Sequence, residues 1–201
     1  MSPPKRTPET TDALRASLVD HARRLIARDG ASALTMRSLA TEAGCAVGLP
    51  YKVFIDRHDL VVEICHAEFA GLQHAFDDLP ARAGHGTVGG NLAWIAERFL
   101  DTPAVALAPE IMADVDLSKA VAARAHQSGS GPATFETAFA RYLTAEQGAG
   151  RVASDVDEKA LAFLLAGAVH NLVVSGDAWP RPSRAQLRRW LDSIAGTISP
   201  Q

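Results

Sequence analysis

An all-α protein is what these 201 residues predict. Three observations carry that expectation. Apolar residues recur three or four apart in almost every segment, the period of a single helical face. No segment alternates apolar and polar side chains as a half-buried strand does. Glycine and proline gather between the periodic stretches, where they end and start helices.

The elements follow in order. Leu14, Leu18, Ala22, Leu25 and Ile26 stripe a first helix, which Gly30 stops. Thr35 is a good N-cap for a second, carrying Met36, Leu39, Ala40 and Ala43 on one face. Gly44 ends it, because glycine accepts a left-handed backbone cheaply. A short third segment closes on Phe54. Asp56 caps a fourth helix, with Asp59 three residues on in its first turn. That helix bears Val61, Cys65, Phe69, Leu72 and Phe76, and ends near Leu79-Pro80. The glycine-rich stretch 81–90 reads as a loop. Leu92, Ile95, Ala96 and Phe99 predict the next helix. Thr102-Pro103 opens another, which Pro109 interrupts, and 115–127 is a short alanine-rich helix. SGSGP at 128–132 is a break. Phe135, Phe139, Tyr142 and Leu143 stripe a helix ending at 148–150. Residues 155–176 are apolar nearly all round, which predicts burial on several sides. Ser183 and Gln186 form a capping box for a last helix over 183–198, burying Leu187, Trp190, Leu191, Ile194 and Ile198.

Composition narrows the function classes. With 47% hydrophobic residues, a chain of this length can bury a large core without disulfides. Two isolated cysteines, Cys45 and Cys65, suggest reduced thiols and a cytoplasmic location. No apolar run approaches the roughly 20 residues of a membrane span. The opening MSPPKRTPET lacks the apolar centre of a signal peptide and reads as a short disordered arm over residues 1–10. The net charge of −3 hides an asymmetry. Residues 1–60 hold nine Lys/Arg against seven Asp/Glu, and the remainder hold eleven against sixteen. A mildly basic front and an acidic rear suit a nucleic-acid-reading head on an acidic body.

The stretch TMRSLATEAGCAVGLPYKVFIDRHDL, residues 35–60, has the outline of a helix-turn-helix, which places its second helix in the DNA major groove. Gly30, Thr35-Met36-Arg37, Leu39-Ala40, Ala43-Gly44, Gly48, Tyr51, Phe54, Arg57 and Leu60 together resemble the TetR family of bacterial repressors, over about residues 12–65. The spacing from Thr35 to Leu60 follows the family pattern without a gap. Thr35, at a helix amino terminus, can meet a phosphate with hydroxyl, amides and dipole together. Tyr51 falls where the family sets a tyrosine on the DNA backbone, and Arg57 takes the place of the family's lysine. Lys52 and Arg37 add charged contacts, each of which raises salt sensitivity. Base reading falls to residues 45–50, and so to Ala46, Val47, Leu49 and Pro50, with Arg37. This segment departs from the family pattern. Ala46 stands where a capping serine is common, Pro50 where a branched apolar residue is usual, and Val53 where histidine or tyrosine is frequent. It offers no long polar side chain, so readout there rests on thymine methyl contacts, close backbone approach and DNA shape.

Other chemistry finds less support. Glu63 and His66 form an E-x-x-H pair of the kind that di-iron bundles use twice, but no second pair exists. No H-E-x-x-H, Gly-rich phosphate loop or C-x-x-C occurs. No metal, cofactor or catalytic role is expected, and the chain is not expected to be an enzyme. His126, His170 and Asn171 are polar groups that need partners, the last two within an otherwise apolar helix. They either bond to a neighbouring helix or dimer seam, or line a ligand cavity with Trp94, Phe99, Met112, Phe135, Phe139 and Tyr142.

The resemblance implies an all-α homodimer with a three-helix DNA-binding head over 11–56 and a ligand-binding and dimerisation domain over 57–201. The last two helices are expected to pair with their copies through Leu161, Leu165, Ala168, Leu172, Leu187, Trp190, Leu191 and Ile194. The implied partners are a palindromic double-stranded DNA operator and a small-molecule effector that releases a repressor, with no membrane. The alternative is a helical small-molecule-binding or scaffold protein that has lost DNA contact.

Overall fold

A computed structural model describes residues 8–130, 132–175 and 181–200. Among these residues all regular structure is helical. In chain order the α-helices are α1 (Pro8–Asp29), α2 (Met36–Glu42), α3 (Pro50–Val53), α4 (Arg57–Asp78), α5 (Val88–Leu100), α6 (Pro103–Ala113), α7 (Val115–Gln127), α8 (Pro132–Gly148), α9 (Glu158–Val174) and α10 (Arg184–Thr197), with single 3-10 turns at Ala31–Ala33 and Pro80–Arg82. Of the arm expected over 1–10, residues 1–7 lie outside the described residues, as do residues 176–180, which precede α10.

Two apolar cores form, and both draw on α4. The front core joins Leu18, Leu25 and Ile26 of α1 to Leu39, Phe54, Leu60 and Ile64, and reaches Leu107 of α6 and Leu117 of α7. The rear core joins Leu72 and Phe76 of α4 to residues of α5, α8, α9 and α10. One 22-residue helix thus serves the front core with its first two turns and the rear core with its last three.

The capping chemistry read from sequence is present. The Thr35 hydroxyl accepts from the Ser38 amide at 3.0 Å while the Ser38 hydroxyl accepts from the Thr35 amide at 2.9 Å. Asp56 accepts from the Asp59 amide, and Ser183 and Gln186 cap each other's amides. Gly44 takes a φ of 62°, the left-handed turn after α2.

Three expectations need correction. Pro109 does not interrupt a helix. It sits inside α6 with its ring exposed, and α6 runs on to Ala113 without the bond its nitrogen would make to Val105. The glycines at 89 and 90 are not loop but the first turn of α5, capped by Thr87. Gly84, Gly86 and Gly89 even have the G-x-G-x-x-G spacing of a dinucleotide loop, yet no strand precedes them, as that motif requires. Gly89 answers a packing need instead. A Cβ there would lie 2.6 Å from the Cα and 2.8 Å from the backbone nitrogen of Asp192, because α10 crosses α5 at this point. Finally, α9 and α10 are less buried than their composition suggests. Phe163, Leu164 and Trp190 are 63, 64 and 54% exposed. Leu165, Leu187 and Leu191, in contrast, are buried in the chain's own rear core, which removes them from any face offered to a second copy.

The α5–α10 seam is also tied by Arg188, whose Nη2 donates to Glu97 Oε2 at 2.6 Å. That bond, more than burial opposes it, holds the Glu97 carboxyl below the usual range. Gly89→Ala is expected to lose about 1–3 kcal/mol of stability in urea denaturation through overpacking. Gly71→Ala, in α4 with nothing within 4 Å of a new Cβ, is expected to gain about 0.5–1 kcal/mol.

Candidate nucleic-acid interface and ligand cavity

The head is assembled around Arg15 of α1. Its guanidinium donates to the Val53 carbonyl at 2.8 Å and to Asp59 Oδ1 at 2.6 Å, and lies 4.7 Å from the Phe54 ring centre. Asp59 in turn accepts from the Ile55 amide at 3.0 Å. One cation therefore fixes the end of α3, the turn after it and the start of α4. Phe54 is buried beneath it.

With the turn fixed, several predicted DNA contacts face outward. Thr35, Arg37, Ala46, Val47, Tyr51 and Lys52 are exposed, Tyr51 by 59%. The side chains of Arg37, Tyr51 and Lys52 have no hydrogen-bond or ion-pair partner among the described residues. Leu49 is half-buried and caps α3. Pro50 is buried at the first position of α3, where its missing N–H costs nothing to the helix, so it supports the turn and is unavailable to a groove. Arg57 also departs from expectation. Its Nε donates to the Leu34 carbonyl at 2.8 Å, and its two Nη atoms hold Glu110 of α6 in a bidentate pair, Nη2 to Oε2 at 2.8 Å. The guanidinium links head and body and is half-buried, with its nitrogens held by partners within the chain. No local pattern signals that partner, because Glu110 lies 53 residues away.

Behind the head, an apolar cavity of about 460 Å³ opens between α4, α6, α7, α8 and α9. Of the expected pocket residues, Phe99, Met112, Phe135 and His170 line it. Trp94 does not. It is held between Arg82 and Arg98, at 4.3 and 4.8 Å from its ring centre. Phe139 and Tyr142 are fully buried core. The Tyr142 hydroxyl bonds Asn91 at 3.0 Å, and Asn91 also bonds the Arg82 and His85 carbonyls, pinning the 82–88 loop to α8. Burial, and secondarily Glu146, push the Tyr142 phenol above its ordinary value. His126 is exposed on α7, and Asn171 accepts from the Ser175 hydroxyl at 2.6 Å. Many of the cavity residues missed from sequence come from α6 and α7, where Ala104, Val105, Ala108, Val121 and Ala122 are too small to draw notice.

The candidate groups elsewhere are buried or paired. Burial pushes the Cys65 thiol up to about 12, so it is a protonated wall of the cavity. Glu63 accepts from Arg124 at 3.1 Å. His66 Nδ1 is buried without a partner among the described residues, and burial, with Arg124, lowers its pKa. Those residues hold no cluster of three metal-ligating side chains, and none of their helices is long and apolar enough to cross a membrane.

Residues 18–64 match the family of bacterial regulatory proteins, tetR family. Over that segment the chain is similar to the TetR family. Its head is a TetR-type DNA-binding helix-turn-helix, as the spacing from Thr35 to Leu60 implied. No curated protein matches the sequence. The whole fold is that of solved TetR structures. A TetR-family transcriptional regulator of Mesorhizobium loti is similar with 18% identity and a TM-score of 0.66, over 96% of this chain and 97% of that one. A TetR-family regulator of Cytophaga hutchinsonii is 11% identical with a TM-score of 0.67, over 98% and 100%. The regulator FadR of Bacillus subtilis, solved in complex with stearoyl-CoA, is 14% identical with a TM-score of 0.55, over 91% and 96%.

The Thr35 cap sits at the base of this interface. Thr35→Ala is expected to lower stability by about 1 kcal/mol, read from the midpoint of chemical denaturation.

Proposed function

We propose that this TetR-family chain is a dimeric repressor whose hold on a palindromic operator is released by a small molecule entering the rear cavity. The head, residues 11–56, reads DNA in the cytoplasm, and residues 57–201 bind the effector and the second copy. The observation that carries this reading is the shared course of α4 and α6. The start of α4 is fixed to the head by Arg15 and Arg57, and further along it places Cys65, Phe69 and Phe76 in the cavity wall. Helix α6 lines the same cavity with Val105, Ala108 and Ile111 and sends Glu110 to Arg57. A ligand that alters α6 or α4 therefore acts on the angle of the head. It shifts the equilibrium only by as much as it prefers one state over the other. FadR, which shares the fold, is solved in complex with stearoyl-CoA, and this supports a small-molecule effector for the present chain.

Dimerisation gains support from the outer face of α9 and α10. Leu164, Ala168 and Trp190 are exposed there, and Leu161, Leu172 and Ile194 are partly so. Apolar side chains exposed on the last two helices suit a seam between copies, setting two heads on half-sites about one helical turn apart.

The exposed cations Arg37 and Lys52 are expected to carry phosphate contacts. In gel shifts on the chain's own upstream DNA, Arg37→Ala with Lys52→Ala is expected to weaken binding at least tenfold. Removing each phosphate-binding cation is expected to make the slope of log affinity against log salt shallower by about 0.9. Sedimentation of the double variant is expected to show the dimer unchanged. Wild-type affinity and slope in the variant would refute this surface as the DNA contact.

A further inference from the structure

The cavity wall is apolar with one charged exception. Among the described lining residues there is no lysine and no arginine, and Glu136 of α8 is the single ionisable carboxylate. Glu136 is half-buried and has no hydrogen-bond or ion-pair partner among the described residues. Such a group is held partly out of water without compensation. Part of the wall is aromatic. Phe135 stands beside Glu136 in sequence, with its ring centre 5.2 Å from that of Phe99 and 5.3 Å from that of Phe76. Ring faces attract cations and have no matching attraction for anions. His170 and Ser118 add polar atoms to the wall, with no fixed positive charge. A carboxylate or phosphate entering here would give up its water and meet no cation.

We propose that the cavity takes a compact aromatic or polycyclic cation, with Glu136 as its counter-charge and the Phe76–Phe99–Phe135 group as its stacking surface. A volume of about 460 Å³ suits a ligand of a few fused or linked rings. The assignment rests on the effector role proposed above for the cavity. It also sets this chain apart from the acyl-CoA-bound relative, whose ligand carries several negative charges.

The test uses the full-length protein without DNA and three probes that share one ring system: 9-aminoacridinium, acridine and acridine-9-carboxylate. Titration calorimetry at slightly alkaline pH reads their affinities. The cation is expected to bind tightest, about tenfold or more above the carboxylate, with neutral acridine between. In Glu136→Gln the preference of cation over acridine is expected to vanish while acridine itself binds as before. Equal or tighter binding of the carboxylate overturns the proposal, as does a cation preference that survives Glu136→Gln, or failure of all three probes to bind. An unchanged melting temperature in Glu136→Gln confirms that the variant is folded. None of these outcomes touches DNA binding by the head, which the salt-dependent gel shift reads separately.

Discussion

The structure depends on α4 having to satisfy two cores at once. Leu60, Val61 and Ile64 fill the front core, and Leu72, Ala75 and Phe76 fill the rear one. A continuous helix cannot shift one set of these side chains without moving the other, because close-packed interiors resist small displacements. Arg15 and Arg57 then make the front end stiff, by joining α4 to α1, the turn before α2 and the end of α3. The Arg57–Glu110 pair adds α6 to the same frame. Head angle and cavity shape are thereby set by a common group of contacts. That physical connection is what a ligand-responsive DNA reader needs.

Polar groups in the body serve this rigidity more than they serve binding. Asn91, Tyr142 and Glu146 form a buried network that holds the 82–88 loop, with Glu146 bonded to the Gly84 amide at 3.1 Å and to Arg151 at 2.9 Å. Buried polar atoms left unpaired are costly, and this network pairs them. The Arg188–Glu97 pair and the close approach at Gly89 fix α10 onto α5. Apolar side chains stay exposed on these last helices, Leu164 of α9 and Trp190 of α10 among them, and the proposed dimer would cover them.

Much of this was legible in the sequence, for identifiable reasons. The helix-turn-helix was readable because its signals are local. Thr35, Gly44 and Asp56 each act within a few residues of themselves, as caps and a turn. The course of most helices followed from apolar period alone. The failures were of two kinds. Gly89 and Pro109 were misread because their usual meaning as breakers was overridden by tertiary packing at 89 and by a solvent-facing ring at 109. The cavity was half-found, because large aromatic residues attract notice while the alanines of α6 and α7 that leave the space do not. Trp94, Phe139 and Tyr142 look the same in sequence as Phe99 and Phe135, and only the three-dimensional arrangement separates core from wall. Arg57 matched the family's basic position, yet its partner Glu110 lies in a segment that no local pattern connects to it.

The claim that cavity and head share one frame can be tested without any ligand. Ala108→Phe fills the cavity from α6, far from the residues that face DNA. In a variant whose melting curve shows an intact fold, operator affinity by gel shift is expected to change by about fivefold or more, the size of an ordinary coupling between sites. An affinity equal to that of the unaltered chain would contradict the account.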